Sequence, residues 1–360
     1  MSAVGLDAAA SLPQPDGGAI AEAARWLSQA SRPLIIAGGG ARGAGTHIRD
    51  LAERLDTFVI TTTAAKGVLP DTHAACLGSS LPIPQMRDLA SSCDVVLAVG
   101  TEISETDLYF IQHLPLSGRL IRVDIDPVKL TDHYAAQLAV CSEANAALEA
   151  LVPLIEPRAG LRTKMGEAGA IRARIEQSLE GSARACARAL QAIRAAVPPD
   201  GAVFGDMTQI TYVGGFAYRV DRPGSWFAPS GYGTLGFAFP AALGAKVAQP
   251  HRAVVAIAGD FGLQYTLQEL ATAVELELSL PIVLWNNRAL AQIRDDMQTA
   301  AIPPIGVTGR NPDFLALAHA YGAEAMRAPG PEALTQALQA ALSRKGPTLI
   351  EALDTDFQVG

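Results

Sequence analysis

Apolar residues along this chain gather in short runs, and between the runs they recur every three or four positions. That alternation predicts strands joined by helices. In the first half, Pro33 to Ala37, Phe58 to Thr62, Val95 to Val99 and Leu120 to Ile125 are compact, β-branched runs that read as strands. Ala19 to Ser31 carries apolar residues at helical spacing, and Gly38-Gly39-Gly40 stops the following strand at a tight turn. From about Pro157 to Val197 the chain becomes rich in Arg, Glu and Ala, with helical periodicity and few large apolar residues. A second series of runs follows at Ala202 to Gly205, Ala253 to Ala258, Ile282 to Trp285 and Thr348 to Ala352. Strands apolar along their whole length belong to parallel sheets covered on both faces. The expected fold class is therefore α/β, two doubly wound parallel-sheet domains. Residues 1–18, rich in Ala, Ser, Pro and Gly, read as a linker-like lead, 19–160 as a Rossmann-like middle domain, 161–185 as a linker and helix with the boundary near Ile175, and 186–360 as the second domain. No short-period repeat is visible.

Composition narrows the function. Hydrophobic residues make up 49% and charged residues 18% of 360 residues, enough to bury two cores. A net charge of −8 without Lys/Arg clusters argues against nucleic acid as a partner, because phosphate-backbone affinity needs many cationic contacts. Cys76, Cys93, Cys141 and Cys186 form no CxxC pair, so neither a zinc site nor a disulfide framework is indicated, and thiols in a reducing compartment are expected. No run reaches eighteen consecutive apolar residues, and the N-terminus lacks a basic-then-apolar leader, so the expectation is a cytoplasmic protein with no membrane partner.

The segment richest in chemistry runs from Val254 through Ala258-Gly259-Asp260-Phe261-Gly262, along a helix at Leu267 to Leu276, to Pro281-Ile282-Val283-Leu284-Trp285-Asn286-Asn287. Each apolar run delivers an oxygen-bearing side chain, Asp260 and Asn287, to the carboxyl edge of a parallel sheet, where open α/β sheets bind ligands. A hard divalent cation such as Mg²⁺ takes oxygen donors and is commonly held by one or two carboxylates plus ligand phosphates. Gly259, Phe261 and Gly262, at the start of the following helix, offer N–H groups to a diphosphate.

This segment resembles the thiamine-diphosphate signature of the acetolactate synthase and benzoylformate decarboxylase superfamily: Gly-Asp-Gly, one crossover, then Asn-Asn. The resemblance implies thiamine diphosphate and Mg²⁺ as cofactors, with Asp260, Asn287 and the carbonyl of Ala289 as metal ligands. Phe261 stands where the family usually has Gly, and such a substitution demands a compatible backbone angle and extra room. Gly231-Tyr232-Gly233-Thr234-Leu235-Gly236-Phe237-Ala238-Phe239-Pro240 resembles the family's preceding segment. There Leu235 matches the wedge that bends the cofactor, and the Gly233 carbonyl matches the acceptor for its 4′-amino group. Gly205-Asp206-Met207-Thr208-Gln209 is similar to the remaining diphosphate-contacting loop, through Asp206, Met207 and Thr208. A helix is expected over Arg288 to Met297 at the mouth of the site, with Gln292 and Ile293 as substrate contacts. Arg32 to Gly40 and Ile121 to Pro127 resemble the family's middle domain, so the likeness covers nearly the whole chain. Gly38-x-Gly40-x-x-Gly43 formally satisfies the dinucleotide fingerprint, and a structural turn is the favoured reading.

The family's activating glutamate, beside N1′ of the aminopyrimidine, belongs to an N-terminal pyrimidine domain. No Glu in this sequence sits in a matching context. The expectation is thus one subunit of a split 2-oxo acid decarboxylase whose smaller partner chain supplies the pyrimidine domain and its Glu, in a hetero-oligomer, α2β2 or larger; the alternative is a piece of a longer protein that carries that domain itself. Such a chain alone is inactive. Substrates with a guanidino group, met by Asp295 or Asp296, fit the Ile-Arg-Asp-Asp-Met stretch. The runner-up is acetolactate-type carboligation. Other readings are a sirtuin-like nucleotide-binding regulatory protein, against which the missing zinc cysteines count, and a non-catalytic subunit. Asn286 reads as a loop brace, and the six histidines as surface or core polar groups.

Overall fold

The computed structural model describes residues 11–109, 113–158 and 165–358. The first ten residues of the expected lead, and residues 159–164 where the middle domain was expected to give way to the linker, lie outside the described residues. The chain divides into two compact units. The first is built on the chain to Leu69 with Ala74–Leu77 and Leu81–Ala168, the second on Gly169 onward with Pro70–His73 and Gly78–Ser80.

In the first unit five strands, β1 (Pro33–Ala37), β2 (Val59–Thr61), β3 (Val95–Val99), β4 (Arg119–Asp124) and β5 (Leu138–Cys141), pair in parallel in the order β2-β1-β3-β4-β5. Every residue of β1 and β3 is buried, which is why both were visible as solid apolar runs. The edge strand β5 buries only Val140, so hydropathy alone gave no sign of it. The first helix opens at Gly17, inside the stretch expected to be lead, because the Asp16 carboxylate caps it by accepting from the Ala19 N–H at 2.8 Å. Its Ile20, Ala23, Ala24 and Leu27 face the core.

The strand order reverses between β1 and β3, the place where such sheets usually hold a ligand. Here backbone meets backbone. A Cβ on Gly38 would lie 2.2 Å from the Gly100 carbonyl oxygen, and one on Gly40 would lie 2.9 Å from Gly100 Cα. The Gly38 N–H donates to Val99 O (2.8 Å) and the Gly40 N–H to Gly100 O (3.0 Å). The fingerprint glycines thus close the turn on the neighbouring strand's loop and spend these N–H groups internally.

In the second unit β6 (Ala202–Gly205), β7 (Trp226–Phe227), β8 (Val254–Gly259), β9 (Leu280–Asn286), β10 (Glu324–Arg327) and β11 (Pro347–Leu353) form a parallel sheet in the order β10-β11-β9-β8-β6-β7. Strands β8 and β9 are buried end to end. Alternate residues serve opposite faces: Val255, Ile257, Val283 and Trp285 join one core cluster with Leu190 and Leu338, whereas Val254, Ala256, Ile282 and Leu284 join another with Phe239 and Phe314. The sequence missed β7, only two residues long, and β10, whose residues are half-buried or exposed. Helices Met165–Gln177 and Gly181–Ala196 occupy the Arg/Glu/Ala-rich stretch. Among the described residues no helix is long and apolar enough to cross a membrane.

Candidate functional site

Parallel strands present their carboxyl ends at one edge, so loops far apart in sequence meet there. Around the ends of β6, β7, β8 and β9 they enclose a cavity of ≈ 220 Å³. Met207 and Thr208 reach it from β6, and Gly233 and Leu235 from the turn after β7. Gly259, Asp260, Phe261 and Gly262 enter from β8, and Asn287 and Ala289 from β9. Gln292 and Ile293 stand at its mouth on the helix Ala291–Thr299.

Of the residues expected to hold the cofactor or its metal, Asp206 alone does not line this cavity; Asp295 and Asp296, expected at the substrate, also lie outside its lining. The buried Asp206 carboxylate turns beneath the loop and accepts from the N–H groups of Met207 (2.9 Å), Gly236 (2.9 Å) and Phe237 (3.3 Å). It therefore braces the turn that presents Gly233 and Leu235. Burial pushes the Asp206 carboxyl above the ordinary carboxylate range, opposed by those three N–H groups. The same carboxylate leaves no space for a side chain at position 262, since a Cβ there would sit 2.8 Å from Asp206 Oδ2. Gly233 holds a left-handed backbone (φ +62°), which gives its peptide an orientation other residues adopt only with strain.

The demands of Phe261 are both met. It lies in the helix Asp260–Gln264 with no positive φ, and the room comes from Gly309, whose would-be Cβ lies 3.0 Å from the ring. Asp260 is buried, and its Oδ2 accepts from Asn311 Nδ2 at 2.6 Å. Burial raises its carboxyl above the usual range, against the pull of that hydrogen bond. Asn286 turns into the protein: its Nδ2 donates to Glu351 Oε1 at 2.7 Å, and its Oδ1 accepts from the Arg288 N–H at 3.1 Å. Asn287 faces the cavity, with Nδ2 on Gln209 Oε1 (3.4 Å) and Oδ1 on the Ala289 N–H (3.3 Å). Those two side-chain-to-backbone turns, with Arg288 at φ +56°, delay the following helix to Ala291 instead of the expected Arg288.

The three residues expected to hold a metal all line the cavity and all offer oxygen. Asp260 supplies a carboxylate, Asn287 an amide oxygen, and Ala289 a carbonyl. The pairing of Ala289 with Thr308 is carried by the Leu290 N–H on Val307 O (2.8 Å), which leaves the Ala289 carbonyl outside that ladder. Among the described residues no group of three or more His, Cys, Asp or Glu gathers as a self-sufficient metal site. One carboxylate with two neutral oxygens suits Mg²⁺ shared with phosphate oxygens.

Gln209, Tyr212, Leu290 and Ala291 also line the cavity and were not singled out beforehand. Gln209 had its neighbours as a signal, lying one residue past Thr208, and its Nε2 donates to Asp295 Oδ2 at 3.1 Å. Tyr212, half-buried and near Asp206 and Asp296, has its hydroxyl pushed up to about 12, chiefly by desolvation. Asn311 had no signal at all: it sits in an aperiodic stretch that reaches the site only because the chain folds back.

Family models match both halves of the sequence. The thiamine pyrophosphate enzyme central domain matches residues 20–151, and the C-terminal TPP binding domain matches residues 206–352. A protein of Pseudomonas aeruginosa named "Probable 2-ketoarginine decarboxylase" is 43% identical over 340 residues, 94% of this chain and 60% of the relative. The acetolactate synthase isozyme 3 large subunit of Escherichia coli is 28% identical over 91% of this chain and 59% of its own length. The pyruvate oxidase of Lactiplantibacillus plantarum is 29% identical over 96% of this chain and 58% of its own length. The chain thus spans about three fifths of these relatives. Two matched domains in the family's order, together with an identity of 43% along nearly its whole length, establish that the chain belongs to the thiamine pyrophosphate enzymes and carries their central and C-terminal TPP binding domains.

Proposed function

We propose that this chain forms the Mg²⁺ and diphosphate half of the active site in a thiamine-diphosphate-dependent 2-oxo acid decarboxylase. The observation that carries the reading is the meeting of Asp260, Asn287 and Ala289 on one cavity with Gly233, Leu235 and the N–H-bearing turn Gly259–Gly262. Asp260, Asn287 and the Ala289 carbonyl hold the cation. The Phe261 and Gly262 turn, with Met207 and Thr208, receives the diphosphate. Leu235 would support the cofactor rings, and the Gly233 carbonyl would accept from the amino group. Thiamine diphosphate, when bound, supplies the electron sink into which a 2-oxo acid loses CO₂.

No glutamate lines the cavity among the described residues. The acid that this chemistry needs therefore comes from a pyrimidine-binding domain, which we place on a separate, smaller chain of a hetero-oligomer. Tyr232, fully exposed beside Gly233, and Ile293, half exposed at the mouth, are apolar side chains that such a domain would cover.

For the substrate, Asp295 and Asp296 lie on the helix Ala291–Thr299 whose start lines the cavity; Asp295 is held by Gln209 (3.1 Å) and paired with Arg294 (2.8 Å), and Asp296 is held by Gln292 (3.0 Å). Carboxylates in that position favour a 2-oxo acid with a cationic tail, and a guanidinium, planar and many-donored, pairs best with them. The relative named for 2-ketoarginine supports the same substrate class. Acetolactate synthases among the relatives keep carbon–carbon bond formation as the second reading.

Calorimetry with thiamine diphosphate and Mg²⁺ on the assembled protein tests the site. Asp260→Ala is expected to weaken cofactor binding at least about tenfold, as loss of a metal ligand does. Unchanged affinity would sink the reading. A 2-oxo acid screen, scored for CO₂, aldehyde and acyloin, separates decarboxylation from carboligation.

A further inference from the structure

We infer that the segment Val307–Asn311 is a positioning strap for the metal-binding loops and that Asn311 sets the orientation of the Asp260 carboxylate. This rests on the reading of Asp260 as a cation ligand. The strap touches every loop that carries a proposed ligand. Val307 accepts from the Leu290 N–H at 2.8 Å and Thr308 pairs with Ala289, which fixes the loop carrying the third proposed ligand. Gly309 gives the Phe261 ring its room, next to Asp260. Asn311 donates through one nitrogen to Asp260 Oδ2 (2.6 Å) and to Asn286 Oδ1 (3.2 Å), and so joins the ends of β8 and β9.

Asn311 is itself held by a chain of defined hydrogen bonds. Asn286 Nδ2 donates to Glu351 Oε1 (2.7 Å), and Arg327 donates to Glu351 Oε2 (2.9 Å). A carboxylate only accepts, so Asp260 and Glu351 between them dictate which way both amides face. Asn286 and Glu351 are buried, and Arg327 carries the balancing charge out to solvent. The identity of the donor to Asp260 matters. A lysine or arginine there would neutralise the carboxylate and compete with a cation, whereas a neutral amide fixes its direction and leaves its charge available. Asn311 takes one oxygen, Oδ2, and so fixes the direction of the carboxylate without cancelling its charge. Partners behind a metal ligand of this kind typically govern affinity by ten- to a hundredfold.

The test measures the Mg²⁺ concentration giving half-maximal binding of thiamine diphosphate to the full chain, alone and with its pyrimidine-domain partner. Wild type is compared with Asn311→Ala, the similarly sized Asn311→Leu, and Asp260→Ala. Both Asn311 variants are expected to need roughly ten- to a hundredfold more Mg²⁺. Their cofactor affinity at saturating Mg²⁺ and their thermal midpoint without metal should stay close to wild type. A half-maximal concentration within twofold of wild type, while Asp260→Ala still abolishes the Mg²⁺ response, overturns the role of Asn311 and leaves the metal site standing. Loss of the folded chain in both Asn311 variants also overturns it, because Asn311 would then serve the fold. Absence of a Mg²⁺ response in wild type, or its persistence in Asp260→Ala, defeats the metal site and this inference with it.

Discussion

Two aspartates expected at the same site do opposite jobs. Asp260 lines the cavity, while Asp206 lies under it with three N–H groups on its carboxylate. Because burial holds the Asp206 pKa above its unfolded value, the folded state favours the protonated form. The stability contributed by that difference is complete below about pH 4, the unfolded carboxylate value, and is lost as pH rises through the folded pKa. Asp206→Asn removes the titration and keeps one accepting oxygen. The advantage of wild type over this variant in denaturant unfolding should therefore shrink as pH rises above about 4. An advantage that grows over the same range would contradict the account. At this scale the sequence displayed Asp260 and Asn287 through their place at the ends of apolar runs. It could not display whether an aspartate faces the cavity or the loop below, since that depends on which N–H groups the folded chain brings near.

Among elements, the closest contacts are made by glycines that pair with something distant. Gly38 meets the Gly100 carbonyl, and both partners are backbone, which cannot rotate away. Gly38→Ala is expected to destabilise the first unit by at least ~3 kcal/mol in chemical denaturation, at the upper end for overpacking. Gly309 instead faces the outer end of the Phe261 ring, a side chain able to yield a little. Gly309→Ala should cost about 1 kcal/mol, and that cost should vanish in a Phe261→Ala background. A double-mutant cycle with no coupling would refute the pairing. Strand β5 and the short β7 eluded sequence reading because edge strands bury too few residues to form an apolar run.

For the whole molecule, the cavity gathers Asp260, Asn287 and the turn Gly259–Gly262 without a glutamate among its described lining. Turnover of 2-oxo acids is accordingly expected only when a pyrimidine-binding domain is supplied, with CO₂ release as the readout. Release by the 360-residue chain alone would show that it contains the activating acid. All the residues lining the cavity belong to the second unit, whose parallel strands open their carboxyl ends at one edge.

By itself the sequence determined the α/β class, the buried strands β1, β3, β8 and β9, and the arrival of Asp260 and Asn287 at one edge of the sheet. It could do so because uninterrupted apolar runs and the residues that end them are local patterns. Only the tertiary structure decided that Asp206 braces a loop, that Gly38 and Gly40 close against Gly100, that Gly309 accommodates Phe261, and that Asn311 grips Asp260. Each of these joins residues remote in sequence through a contact of a few ångströms, and no periodicity encodes a contact that exists only after the chain has returned on itself.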